Sequence, residues 1–415
     1  MEVLYARCAG LDVHKDSVVA GVRLAEDGTA RTKVRTFGTT TPELLALSAW
    51  LAEHGCTHIA MEATGIYWRP VWHILSDGEF TLILANASHV KNVPGRKTDV
   101  ADALWLAGLL AHGLIRPSFV PETVTQEMRA LLRTRKQLVR EQASHIQRTQ
   151  KTLEDANIKL SSVLTDIMGK SGRGIIEALV AGQTDAEQLL SLVQRGVKAA
   201  PEKIKAALTG RVTDRHRFLL RLHLQQIDAL TTALADIDAE VDRGLDPFRQ
   251  AVSLLRSIPG VSDLAAQVIV SEIGTDMGRF PTAGHLISWA GLCPRNDESA
   301  GKRRSNRLRK GAPWLKTTLV QCAWAGSRKK ASSLQAQVLR LRQRRGPKKA
   351  VCAVAASILT AACHMLRDGT FYQDLGADHF RRIAPETAAA SLAAQITKLG
   401  FKCVVTPAQP EAVSI

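Results

Sequence analysis

Three short runs of apolar and β-branched residues, Tyr5 to Val13, Val18 to Leu24 and Thr32 to Phe37, are separated by segments that carry Lys-Asp and Asp-Gly turns. Such spacing predicts a three-stranded meander. A helix from Pro42 to about His54 follows, then a strand from His58 to Glu62, a helical stretch from Tyr67 to Ser76 and a strand from Phe80 to Ala85. Strand, helix and strand in alternation require a mixed sheet covered by helices, the α/β arrangement. Asn92 to Arg96, with Pro94 and Gly95, predicts a loop that delivers Thr98 as N-cap of a helix from Asp99 to His112.

Four carboxylates stand at the ends of these elements: Asp12 in AGLDVHKDSV, Glu62 in HIAMEATG, and Asp99 and Asp102 in KTDVADALWLAGLL. Asp12 ends an apolar strand, where a buried charge is costly without a partner or an ion. Asp99 sits at the positive end of its helix, which helps keep it ionised. Asp99 and Asp102 share a helix face, and with Asp12 and Glu62 they can converge on divalent metal. Mg²⁺ prefers such oxygen ligands, with Mn²⁺ as the alternative; two ions roughly 3.5 to 4 Å apart clamp both oxygens of an in-line phosphoryl displacement. The β-β-β-α-β order with acids at these places reads as a metal-binding set in an RNase H-like sheet. Taken singly, each acid is equally a turn residue, a strand-terminal charge or a helix cap. His14, close to Asp12, is either a base or a surface histidine.

At 415 residues and 45% hydrophobic content the chain predicts two or more domains, each with its own core. After the α/β region, residues 1–118, comes a helical region, 119–246. Glu122 to about Ile158 forms helix with an imperfect seam through Met128, Leu131, Leu138, Ile146 and Leu153, interrupted at Arg135, Gln142 and Thr149. From Asp214 to Arg243 the repeat is better: Leu220, Ile227, Leu234 and Val241 lie seven apart, with Leu224, Leu230 and Ile237 between them. This is coiled-coil spacing, which serves an antiparallel hairpin or a contact with another subunit. Gly169 to Pro201, carrying Gly172, Gly174, Gly182 and Gly196, predicts shorter helices and turns.

A third region, 247–385, opens with LLRSIPGVSDLAAQVIVSEIG, in which Pro259 and Gly260 make a tight turn between two apolar helices. It resembles a helix-hairpin-helix, whose turn N–H groups and following helix N-terminus meet a DNA phosphate; the alternative is an ordinary helical turn. The net charge of +16 is concentrated nearby, since Gly301 to Lys349 holds sixteen Lys and Arg and no Asp or Glu. Lys302, Arg303, Arg304, Arg307, Arg309 and Lys310 lead that tract, which can neutralise phosphates and make binding fall steeply with salt. A solvated face or an anionic-membrane patch is the other reading. Ser299, in a predicted loop between Glu298 and Lys302, could attack phosphate with the guanidinium groups stabilising developing charge.

Seven cysteines without a C-x-x-C pair predict reduced, mostly buried thiols. No signal peptide opens the sequence, and the uncharged run Ala350 to Leu366 is shorter than the roughly 20 residues that span a bilayer, so no membrane association is expected. That run predicts a closely packed buried helix, and the tail, 386–415, is expected to end disordered after Pro407.

Taken in order, GLDVHKDSV, MEATGIYW, KTDVADALWLA, SIPGVSDLAAQVI and WAGLCPRNDESAGKRRSNRLRKGAPWLK resemble the insertion-sequence transposases that join an N-terminal DEDD RuvC-like domain to a C-terminal transposase domain carrying a serine. The resemblance spans about Gly10 to Arg367. It implies that Asp12, Glu62, Asp99 and Asp102 are the DEDD acids, that Ser299 is the nucleophile, and that a noncoding bridge RNA pairs with donor and target DNA. The fold it implies is α/β plus α. Two departures stand out: Ser299-Ala300 replaces the Ser-Gly of many relatives, and Asn306-Arg307-Leu308-Arg309-Lys310 replaces an Ile-Ser-Lys-like segment, which keeps Ser305 as a second candidate. The expected protein is a cytoplasmic prokaryotic recombinase, at the nucleoid when acting, that assembles as a homo-oligomer, dimer or tetramer. A metal-only nuclease of Holliday-junction type and a noncatalytic nucleic-acid scaffold are the alternatives.

Overall fold

The computed structural model describes residues 2–26, 29–63, 65–86, 99–294, 297–299, 301–305, 307–308, 311–380 and 385–406. The predicted loop Asn92 to Arg96, the cap Thr98, and the tail beyond 406 lie outside them. Two compact units emerge, Met1–Val120 and Pro121–Ile415.

In the first unit, β1 (Arg7–Val13), β2 (Ser17–Glu26) and β3 (Thr29–Gly38) form the antiparallel meander. Helix α1 (Thr41–Glu53) crosses to β4 (His58–Glu62), and α2 (Trp68–Ser76) crosses to β5 (Thr81–Ala85), so that β1, β4 and β5 run parallel. The five-stranded order is β3-β2-β1-β4-β5. Alternation along each strand sorts side chains to two faces. Ala9, Leu11, Val13, Ile59 and Met61 join Leu44, Leu47, Leu51, Val71 and Leu75 of α1 and α2. On the other face Cys8 and Ala60 meet Leu110 and Ala111 of α3 (Asp99–Ala111). Asp12 and Glu62 follow the α3-facing parity.

Helix α3 lies against the sheet because two strand residues lack side chains. Gly10 and Gly21 are cross-strand partners. A Cβ on Gly10 would stand 2.2 Å from the Ala103 carbonyl oxygen and 2.6 Å from Ala107 N; one on Gly21 would stand 3.0 Å from Leu104 N. Glycine inside a strand here marks close backbone approach, and that approach sets the first turn of α3 beside the end of β1.

The second unit begins with α4 (Thr123–Asp155), which packs along α9 (Asp214–Arg243). Their cross-links run antiparallel: Arg135 to Asp238, Gln142 to Thr231, His145 to His223, and Asp155 to Arg215 and His216. The hairpin alternative is therefore realised within one chain. Leu220, Leu224, Ile227 and Val241 are buried, whereas Leu230, Leu234 and Ile237 are half-buried. Thr149, an interruption of the predicted seam, is fully buried with its hydroxyl on the His145 carbonyl oxygen.

Between the two long helices, α5 (Leu160–Val163), α6 (Lys170–Val180), α7 (Ala186–Ser191) and α8 (Pro201–Leu208) build a separate core around Leu153, Ile176, Leu179, Leu208 and Leu220. Beyond α9 come α10 (Arg249–Arg256), α11 (Asp263–Ile273), α12 (Ala283–Trp289), the hairpin β6 (Asp297–Ser299) and β7 (Lys302–Ser305), α13 (Pro313–Gly326), α14 (Ser333–Arg345), α15 (Pro347–Asp368) and α16 (Pro385–Lys398).

Helix α15 packs on α10, α12, α13 and α14. By length and composition it could cross a membrane, and half of its apolar window is buried inside the unit. Ala350, Val354, Ile358, Leu359 and Ala362 supply that buried face, as expected from the Ala350 to Leu366 run.

Candidate metal centre and serine hairpin

Asp12 and His14, two apart at the end of β1, point the same way because strand side chains alternate. His14 Nε2 lies 3.1 Å from Asp12 Oδ2 and 3.7 Å from Asp99 Oδ2. One ligand atom from each of these three residues can be chosen so that all lie within 4.8 Å of one another. Burial pushes the Asp12 carboxyl above its usual range; His14 opposes that rise, and the charges of Asp99 and Asp102 add to it. The site therefore gathers the negative charges of Asp12, Asp99 and Asp102 around one imidazole.

Glu62 belongs to the same edge. Leu11 pairs with Met61 in the parallel β1-β4 register, so Asp12 and Glu62 occupy the next position on neighbouring strands. Strands this close hold such residues about 4.8 Å apart across the ladder. Asp102, one helical turn after Asp99, is half-buried and acts on Asp12 through its charge. An all-carboxylate set with one imidazole fits a hard divalent cation. His14 is a surface histidine, as one of the two readings expected, and it also stands beside two acids; the D-x-H spacing was the available signal. Gly10 and Gly21 were also missed, although glycine within a strand pattern signals close approach.

Ser299 belongs to the second unit. It is the last residue of β6 and the register partner of Lys302, so the predicted loop is a tight hairpin closing at Gly301, whose φ is +71°. A positive φ there suits glycine. Ser305 is half-buried, and its hydroxyl accepts the Arg307 N–H at 3.2 Å. Lys302 and Arg307 are exposed. Arg303 and Arg304 are placed by backbone in β7, while Arg309 and Lys310 lie outside the described residues.

The Pro259-Gly260 turn joins α10 to α11 as the motif requires, but it is also a packing contact. Gly260 has φ +87°, and a Cβ there would stand 2.3 Å from Gly326 N and 2.4 Å from the Cys322 carbonyl oxygen of α13. Gly326 returns the constraint against the Pro259 carbonyl oxygen at 2.4 Å. Ser262 caps α11, and Asp263 pairs with Arg256 at 2.9 Å across the turn.

The first unit thus sets acids at the ends of β1 and β4 and on α3, and a basic helical unit follows. Residues 9–158 match a family model described as transposase, of the DEDD type, and residues 252–339 match one described as transposase IS116/IS110/IS902 family. The chain belongs to this family of insertion-sequence transposases.

Two relatives carry matching names. "Putative transposase y4qE" of Sinorhizobium fredii is 30% identical over 153 residues, covering 35% of this chain and 39% of that protein. "Insertion element IS110 uncharacterized 43.6 kDa protein" of Streptomyces coelicolor is 31% identical over 121 residues, covering 29% and 30% respectively. The matched stretches thus span less than two fifths of either relative.

Proposed function

We propose that this protein is a DNA transposase that cuts and rejoins strands through a serine-linked intermediate, with Asp12, Glu62, Asp99 and Asp102 holding Mg²⁺ or Mn²⁺. The observation that carries the reading is the convergence of Asp12, His14, Asp99 and Asp102 in a domain that matches DEDD transposases. A bound divalent ion supplies Lewis-acid polarisation of a phosphate oxygen. The acids position and neutralise; they need not attack.

Attack falls to Ser299. Its Oγ forms a bond to the scissile phosphorus, the bond to one DNA oxygen breaks, and that strand leaves as a hydroxyl end. A phosphoserine ester conserves the phosphodiester energy, so the reverse attack by a DNA hydroxyl rejoins strands without a nucleotide cofactor. Lys302 and Arg307, exposed on and just after the hairpin, supply positive charge for the phosphate. In this reading a bridge RNA reads donor and target by base pairing, and the protein binds backbone and shape, which suits a basic tract. Acids and serine on separate units would allow a homo-oligomer to share its active sites.

Denaturing electrophoresis of labelled DNA after reaction tests the serine step. Wild type should leave DNA migrating with protein, Ser299→Ala should lose that species, and Asp12→Asn or Asp102→Asn should lower cleavage at least a hundredfold, as is typical when a main catalytic group is removed. Full cleavage by Ser299→Ala would replace this reading with a metal-only nuclease. Sequencing RNA that copurifies with the protein tests the guide.

A further inference from the structure

Arg129, Arg133, Lys136 and Arg140 recur along α4 at steps of four, three and four, which places them in one stripe of the helix. The stripe lies outside the Gly301 to Lys349 tract. Its upper three cations surround one ring: Arg133, Lys136 and Arg140 stand 5.9, 5.6 and 5.3 Å from Trp314, at the start of α13. Among the described residues, Arg133 alone of these three is ion-paired, through two 2.8 Å bonds to the buried carboxylate of Glu272. Arg140 makes no ion pair among the described residues. Lys136 Nζ is buried without a hydrogen-bond partner among them.

The attraction of a ring for a cation is small beside the cost of a buried ammonium without an acceptor. Burial, then the charge of Arg140, depresses the Lys136 amine below its usual range, with Glu272 opposing. Helix α13 begins at the same place with proline in its first turn and no side-chain cap, so its positive end adds to the field. Such a cluster suits an anion with several acceptor oxygens.

We propose that Lys136, Arg140 and Trp314, braced by the Arg133–Glu272 pair, form a phosphodiester-binding site on α4, separate from the serine hairpin. The site rests on the reading that this chain handles nucleic acid. A phosphate oxygen would accept from the Arg140 guanidinium, and from Lys136 Nζ once the side chains covering it move aside. Both DNA and RNA backbones offer that group.

The test is binding of duplex DNA and of duplex RNA, each of random sequence, to the full chain across a salt series. Lys136→Met with Arg140→Gln should weaken binding about tenfold at moderate salt and reduce the log–log salt slope by about 1 to 2. Arg135→Gln, on the Asp238 side of the helix, should leave the slope unchanged. Loss confined to one nucleic acid identifies the source of the phosphate. Lys136→Met alone should keep or raise the melting temperature, because it removes an unpaired buried charge. Unchanged slopes on both probes, with wild type binding normally, would overturn the site while sparing the functional reading. A wild type that binds neither probe would sink both.

Discussion

Two single residues carry more of this structure than their chemistry suggests. Gly10 sits under α3 with no room for a methyl group, since its Cβ would fall 2.2 Å from the Ala103 carbonyl oxygen. Gly10→Ala should destabilise the protein by about 3 kcal/mol through overpacking. It should also weaken Mn²⁺ binding, because the helix that would move carries Asp99 and Asp102; urea unfolding and calorimetry measure the two effects.

Glu272 is the opposite case, a buried charge that holds others. Its carboxylate is 1% exposed and takes both Arg133 bonds, while Arg129 donates to the carbonyl oxygens of Ser271 and Glu272. Glu272→Ala should cost about 3 kcal/mol by leaving the half-buried Arg133 guanidinium without its carboxylate, read as a fall in the urea midpoint. Nothing in the local sequence SEIG announced the role of Glu272. Both residues depend on what a distant element brings alongside, whereas the acids were legible because they stand at the ends of locally patterned segments.

At the scale of elements, legibility followed the range of the interaction. The strand His58–Glu62 and the helix Asp214–Arg243 were readable at the same bounds, since alternation and heptad spacing are written within each segment. The partner of that helix was not, and the structure pairs it with α4. The serine hairpin reads as a loop in the sequence because three- and four-residue strands leave too little pattern to detect.

In the middle of the long pair, His145 and His223 bring their Nδ1 atoms within 3.3 Å. Burial, then the charges of His145 and Arg148, depress His223. A histidine whose folded pKa is lowered binds fewer protons folded than unfolded, so stability is lost as pH falls through the unfolded value near 6.5. Melting temperatures should therefore drop between pH 7.5 and 5.5. His223→Gln should flatten that part of the profile.

Over the whole molecule, charge and core are divided unevenly. The first unit owns a complete apolar core and the acids, while the second owns the basic tract and Ser299. Residues 1–120 expressed alone should unfold cooperatively, and Mn²⁺ should raise their midpoint in the wild type but not in Asp12→Asn, by ligand linkage. Failure of the isolated fragment to respond to Mn²⁺ would show that the carboxylates need the rest of the chain. The separation was visible in the sequence as a change from strand alternation to long helical periods. Which helices close on which was not, because glycine-to-glycine approaches such as Gly260 against Gly326 join segments more than sixty residues apart.

The paired helices α4 and α9 also behave as a ruler. Helix α4 has 33 residues, and at 1.5 Å each it spans about 50 Å. One end is bolted to α11 through Glu272, and the other carries the core around Leu153 and Leu220. Inserting two residues into both helices would swing that far core by about 200° around the axis, whereas seven would move it about 10.5 Å outward with nearly the same facing. The reach of the second unit is thus quantised in pairs of helical turns, and any redesign of it must count in sevens.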